Sequence, residues 1–285
     1  MGMISDKDKA FFFEEGYVLL PNFFDLEEDI FPVLEGIHGV IQRVAQRHGI
    51  CVDPTVFSVE NFDANFQKIL KLDRSFAAEI YDLVKQIPAF LRLICHTKSD
   101  SLFREIRECS MPGIGMGSYG IRIDNPSEDK FRSHWHQEFL YQPQSMDGIV
   151  FWTPLLPITD ELGPVNILPR SHKNGLGIYE YSEKYKDKQG VYHIGLADEA
   201  RTVSKYEMIA PLTNPGDLLL MDFLTIHGSG LNRSERSRWS VQNRFFNFDD
   251  EVGAEIGWKA AGVTGACLEN VFPNNIVTPI GRRKG

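Results

Sequence analysis

The sequence predicts a mainly β fold with flanking helices, a double-stranded β-helix of the jelly-roll, cupin-like type preceded by N-terminal helices. Three observations carry this. Residues 24–50 and 63–108 show apolar positions at three- and four-residue steps, the period of amphipathic helices. From Tyr119 to Phe248 the pattern changes to short β-rich runs punctuated by Gly and Pro, as in antiparallel barrels and jelly rolls. With 285 residues, 42% of them apolar, the chain can bury one large core. A single domain over 1–285 is therefore expected, with a helical part at about 1–110, a β-helix core at about 115–250 and a C-terminal extension at 251–285.

Each element follows from local chemistry. In the second helical region Phe66, Ile69, Leu70, Leu72, Phe76, Ile80, Leu83 and Ile87 recur at helical spacing, and Pro88 marks a break. The run from Gly216 to His227 is apolar and β-rich. It is entered through Pro215-Gly216 and left through Gly228-Ser229-Gly230, so it reads as a buried strand. After the polar turn at 232–237, a further strand is expected from Arg238 to Phe248. Residues 173–205 are polar, Gly-bearing and long for a connection between core strands, which fits either a lid or a surface loop. No internal repeat interrupts the chain.

Composition excludes several classes of function. A net charge of −9 opposes general nucleic-acid binding and attachment to anionic membranes, and the short basic run Arg282-Arg283-Lys284 reads as a solvated tail. No apolar run approaches the roughly 18 residues needed to span a bilayer, and the N-terminus lacks a signal-peptide core, so a soluble, cytoplasmic protein without membrane insertion is expected. Cys51, Cys95, Cys109 and Cys267 form no C-x-x-C pair and read as reduced thiols. Oligomeric state is not legible.

The chemistry concentrates in two places, His134-Trp135-His136-Gln137-Glu138 and His227. On a strand, successive side chains alternate faces, so His136 and Glu138 point the same way and can hold two corners of one metal. With His227 from a second strand they form a 2-His-1-carboxylate set, which suits Fe(II) and leaves positions open for a co-substrate and O2; a closed zinc site leaves none. An H-x-E triplet alone is common by chance, and the strand-terminal setting of His227 is what raises it. Arg238 begins the next strand eleven positions on, where its planar fork can grip the far carboxylate of a dicarboxylic co-substrate. Trp135 and Gln137 fall on the opposite face, as packing residues. His38, His48, His96 and His193 have no partner at ligand spacing.

Four stretches together resemble the phytanoyl-CoA dioxygenase-like family of Fe(II)- and 2-oxoglutarate-dependent oxygenases. They are Phe12 to Phe23, similar to the family's opening strand; His134 to Tyr141, similar to its first ligand motif; Phe151 to Leu155 with Glu161 to His172, similar to its central stretch; and His227 to Ser234 with Arg238. The resemblance implies His136, Glu138 and His227 as catalytic iron ligands, with His136 rather than His134 in the ligand register. It implies Arg238 and Ser229 on the distal carboxylate of 2-oxoglutarate and Trp152 lining the co-substrate pocket. His172 corresponds to a turn. Glu138 departs from the family's usual Asp by one methylene and keeps the anionic ligand, and a carboxylate there opposes halogenation, which needs a small residue. The implied activity is hydroxylation, or another oxidation, of an unactivated C–H bond in a small organic substrate, with release of succinate and CO2. Two alternatives remain open at this point: an iron cupin dioxygenase independent of 2-oxoglutarate, and a non-catalytic jelly-roll binding protein. Tyr119, Arg122, Tyr141, Gln142 and Arg170 are candidates to face the substrate.

Overall fold

The computed structural model describes residues 2–52, 56–181, 194–259 and 271–277. Cys267 and the basic tail lie outside them. Helix α1 (Asp6–Glu15) starts at Ser5, whose hydroxyl accepts from the Asp8 N–H, and stops at Gly16 in the left-handed conformation (φ 80°). Strand β1 (Tyr17–Leu20) follows. The stretch from Phe12 to Phe23, which resembles the family's opening strand, holds a helix end and then the short strand β1. The reversal uses the one residue type without a Cβ penalty there.

A π-helical turn (Leu26–Ile30) leads into α2 (Phe31–Arg47), which buries Val33, Leu34, Ile37, Ile41 and Val44 along one stripe. The second helical region divides into α3 (Phe66–Leu72), α4 (Arg74–Leu83), α5 (Pro88–Ile94) and α6 (Thr97–Arg107). The breaks have local causes. Asp73 caps α4 by accepting from the Ser75 N–H, Pro88 sits in the first turn of α5 where no N–H is needed, and His96 Nδ1 accepts from the Lys98 N–H to open α6.

The strands are β2 (Pro112–Ile114), β3 (Gly120–Asp124), β4 (Gly148–Pro154), β5 (Val165–Ile167), β6 (Tyr179–Tyr181), β7 (Ile194–Leu196), then, after helix α7 (Glu199–Val203), β8 (Leu218–Asp222), β9 (His227–Ser229) and β10 (Arg238–Asn247). Helix α8 (Glu251–Ile256) and β11 (Ile276–Val277) complete the described chain. The largest sheet runs β1-β8-β4-β10, with β2 and β3 both pairing β10. Strands β5 and β9 form a second sheet, and β11-β6-β7 a third.

Alternation along β10 sets the layers. Trp239, Val241, Asn243 and Phe245 face the helices: the Trp239 ring lies 4.9 Å from Phe66, Phe245 lies 5.6 Å from Phe103, and Asn243 Nδ2 donates to the Ile94 carbonyl of α5. Arg238, Gln242 and Arg244 face the other way, into a cavity that the β5–β9 sheet also lines. One hydrophobic cluster joins the helices to the sheet, and Trp239 is fully buried in it. Truncating such a residue to Ala costs about 3–5 kcal/mol.

The run from Gly216 to His227, expected as one strand, is two strands in two sheets. β8 ends at Asp222, whose Oδ1 accepts from the Leu224 N–H and whose carbonyl accepts from the Thr225 N–H; this turn carries the chain across to β9. The segment expected as a lid or loop, 173–205, contains β6, β7 and α7, and Tyr179 of β6 is fully buried. Its residues 182–193 lie outside the described residues. Among the described residues no helix is long and apolar enough to cross a membrane, and Cys51, Cys95 and Cys109 are free thiols.

Candidate active site

His136 and His227 face each other across an isolated antiparallel bridge and exchange both backbone hydrogen bonds, each 3.0 Å. Directly opposed residues in an antiparallel pair carry their side chains on the same face, so the two imidazoles meet, with ring centroids 4.4 Å apart. The expected strand through the ligand motif is reduced to this one bridge, followed by a 3-10 turn (Glu138–Leu140). Alternation survives because Gln137 between the ligands is itself extended (φ −104°, ψ 135°), which turns Glu138 back to the side of His136. One donor atom from each of His136, Glu138 and His227 lies within 4.8 Å of the others, and all three residues are buried. Each imidazole is oriented by a carbonyl: His136 Nδ1 lies 2.8 Å from the His134 carbonyl, and His227 Nδ1 lies 2.9 Å from that of Thr225. Since a carbonyl only accepts, each Nδ1 donates to it, and each Nε2 is the ring nitrogen turned inward, 3.7 Å (His136) and 3.5 Å (His227) from Glu138 Oε2.

The charge states match this arrangement. Burial and the neighbouring His227 push the His136 imidazolium down from its ordinary value, so the ring is neutral at pH 7. Burial alone would raise the Glu138 carboxyl, yet the Arg244 guanidinium, together with contacts to His136 and His227, holds it well below the usual carboxylate range. Arg244 Nε donates to Glu138 Oε1 at 3.1 Å, Nη2 donates to Gln242 Oε1 at 2.9 Å, and Nη1 donates to the Ser118 carbonyl at 3.1 Å. Sequence reasoning did not pair Arg244 with Glu138. The signal was present: six residues after Arg238 on one strand, it must share that face.

His134 is turned away from the triad. Its Nε2 lies 3.1 Å from the Ile194 carbonyl of β7, a carbonyl that Tyr141 Oη also reaches at 3.0 Å. Gln137, expected as packing, is a fully buried polar junction. Its Nε2 donates to the carbonyls of Gly175 (2.8 Å) and Leu224 (2.6 Å), while its Oε1 accepts from the Gly177 N–H (2.8 Å) and Tyr179 Oη (3.0 Å). It thus ties the first ligand segment to the turn before His227 and to the start of the 173–205 segment.

The triad opens onto a cavity of about 230 Å³ that also contains Arg238, Ser229 and Trp152. Arg238 is only 1% exposed; its Nη2 lies 2.7 Å from Asp124 Oδ2 and its Nη1 donates to the Gly163 carbonyl. Gly163 has φ 70°, and any Cβ there would meet the Leu231 backbone at 2.6 Å. Asp124 also holds Arg122, at 2.9 Å. Burial would raise its carboxyl, but the two guanidinium groups pull it down to about 2. Arg238 Nε is buried and has no hydrogen-bond partner among the described residues. Arg238 and Arg244 are six residues apart on β10, about 20 Å between Cα atoms at strand rise, which puts them at opposite ends of the cavity.

Tyr119, Arg122, Tyr141 and Gln142 line this cavity as expected, and α4 adds Tyr81. Arg170 does not. Its side chain is 60% exposed and pairs with Glu15 at 2.6 Å, because the turn that carries it packs on the end of α1. His172 belongs to the same turn, with Nε2 3.0 Å from the Phe13 carbonyl.

Comparison with known proteins places these features in a family. A probable phytanoyl-CoA dioxygenase of Caenorhabditis elegans is 30% identical over 139 residues, 47% of this chain and 43% of that protein. The chain thus matches under half the length of that curated relative. Among solved structures, EctD from S. alaskensis with 2-oxoglutarate and 5-hydroxyectoine superposes with a TM-score of 0.57 at 17% identity, covering 86% of this chain and 77% of that one. The non-heme alpha ketoglutarate dependent epimerase SnoN from nogalamycin biosynthesis gives 0.54 at 14% identity, over 85% and 82%. The phytanoyl-CoA dioxygenase (PhyH) family model matches residues 12–240, a span that holds His136, Glu138, His227, Ser229 and Arg238, and the chain belongs to that family.

Proposed function

We propose that this protein is an Fe(II)- and 2-oxoglutarate-dependent dioxygenase that oxidises an unactivated C–H bond of a small, polar organic substrate. The observation that carries this reading is one cavity holding both a buried set of two imidazoles and a carboxylate, and, apart from it, a buried arginine with an orphaned N–H. The donor set suits Fe(II), with His136, Glu138 and His227 as its holders. Bound there, the ion supplies the redox chemistry by which substrate, 2-oxoglutarate and O2 become hydroxylated product, succinate and CO2.

The protein's share is binding and orientation. Arg238 offers its charge and its unpartnered Nε–H, with Ser229 lining the same cavity, to the distal carboxylate of 2-oxoglutarate, and Trp152 walls the co-substrate's side. Tyr81, Tyr119, Tyr141, Gln142 and Arg122 offer hydrogen-bonding groups to a substrate that carries polar atoms. The buried Arg238 with its unpartnered Nε–H favours this reading over an iron dioxygenase that does not use 2-oxoglutarate, and two imidazoles fixed with Nε2 inward favour it over a binding protein.

The test is succinate release. Purified protein with Fe(II), 2-oxoglutarate and O2 should form succinate slowly alone and faster with the true substrate, and mass spectrometry should find a compound that gains one oxygen. Binding of both iron and 2-oxoglutarate without succinate formation, across all substrate classes offered, would count for the non-catalytic reading.

A further inference from the structure

We infer that Arg244 is a positioning residue for the metal ligand Glu138: it takes one carboxylate oxygen and thereby aims the other at the two imidazoles. The division of labour is visible atom by atom. Glu138 Oε2 is the oxygen near both His136 Nε2 and His227 Nε2, at 3.7 and 3.5 Å. Glu138 Oε1 is the oxygen 3.1 Å from Arg244 Nε. Arg244 Nη2 lies 3.5 Å from Oε2, at the limit of a hydrogen bond, so the short contact is reserved for Oε1.

Arg244 can do this because its own fork is held from the sides. Gln242, on the same face of β10, accepts from Nη2 at 2.9 Å, and the Ser118 carbonyl accepts from Nη1 at 3.1 Å. Three acceptors around a planar, always charged group fix its orientation. A buried carboxylate with two equivalent oxygens can otherwise rotate or offer both oxygens to one ion. With Oε1 occupied, it presents one oxygen, and a coordination position stays free for the other participants in the reaction.

The same geometry gives Glu138 a reason to be longer than Asp. A carboxylate that must touch both an arginine on β10 and a metal between two other segments has to span the cavity, and the additional methylene supplies that reach. In this chain Glu138 and Arg244 therefore work as a unit, and substitutions at the two positions should be coupled.

The inference rests on the metal reading of the triad, and the parent protein's own titration tests that reading separately. Anaerobic calorimetric titration with Mn(II) or Co(II), which needs no turnover, is run on the parent, Arg244→Met, Arg244→Lys, Glu138→Asp and the double variant Glu138→Asp/Arg244→Met. Supports around a metal ligand are typically worth about tenfold to a hundredfold in metal affinity, and Arg244→Met is expected to lose that much. Arg244→Lys, which keeps one N–H for Oε1, should recover part of the loss; it also keeps the buried charge paired and so is the variant to read if Arg244→Met does not fold. In the Glu138→Asp background the methionine substitution should cost less than about threefold, because the shorter carboxylate no longer spans both partners. A parent that binds no metal would overturn the metal reading itself. A parent that binds metal, with Arg244 variants within twofold of it or with equal losses in the Glu138 and Asp backgrounds, would overturn the positioning role.

Discussion

Arg238 enters the cavity already paired with Asp124, 2.7 Å from Nη2 to Oδ2, so the arginine proposed to hold 2-oxoglutarate is fixed before any ligand arrives. Pairing with Asp124 and the Gly163 carbonyl occupies the two ends of its fork, while Nε keeps a donor without a protein partner. Two guanidinium groups share the one Asp124 carboxylate, which leaves a net positive charge at that end of the cavity, the sign that attracts a dianion.

Replacing Arg238 by Ala should weaken 2-oxoglutarate binding at least a hundredfold, as expected for removing the partner of a buried carboxylate, about 3–5 kcal/mol. Metal affinity should stay within a few-fold of the parent, since Arg238 contacts none of the triad. Titration with 2-oxoglutarate of the metal-loaded parent and variant measures this. Equal affinities would leave the arginine as a structural residue and favour an enzyme without that co-substrate.

Asp124→Asn should destabilise the fold, because Arg238 is left buried without its anion. The Asp124 carboxyl falls from its ordinary 3.8 to about 2 in the folded protein, so its contribution is complete above pH 4 and is lost as the pH falls through 2. The shift corresponds to about 2 kcal/mol. Urea unfolding at pH 7 should show at least that loss, and the gap between parent and variant should narrow between pH 4 and 2. A gap that persisted unchanged at low pH would mean that the ionised pair is not its source.

Gln137→Leu removes the partner of two carbonyls, one backbone N–H and one phenol, all near the ligand segments. Each buried group left unpaired costs about 1–3 kcal/mol, so with four such groups a loss of at least about 4 kcal/mol, or roughly 8–16 °C in Tm, is expected. Because Gln137 ties the His136 segment to the turn that precedes His227, metal affinity should fall as well. Calorimetric melting and metal titration of one preparation read both effects. Unchanged affinity in a destabilised variant would confine Gln137 to the scaffold.

Much of the architecture was legible because it rests on periodicity. The helical stripes at 24–50 and 63–108, the Pro88 break and the strand from Arg238 all appear where the apolar spacing and the punctuation put them. What periodicity could not show was where a continuous apolar run changes sheets. The run from Gly216 to His227 looks like one buried strand, and only the Asp222 turn, made by a side chain folding onto its own backbone, divides it. The triad was legible because alternation needs just one extended residue, Gln137, between two ligands. Arg244 and Asp124 were not, since each acts through a partner more than a hundred residues away in the chain. Arg170 misled for the converse reason: its partner Glu15 comes from the N-terminal helix and draws it out of the site.

The most direct test of the account is anaerobic Fe(II) titration of the parent protein and of His227→Ala. The account predicts one Fe(II) per chain in the parent and a large loss of affinity in the variant, with 2-oxoglutarate binding dependent on the metal in the parent. Unchanged stoichiometry and affinity in His227→Ala would contradict it, because the ring that faces Glu138 across the His136 bridge would then hold no metal.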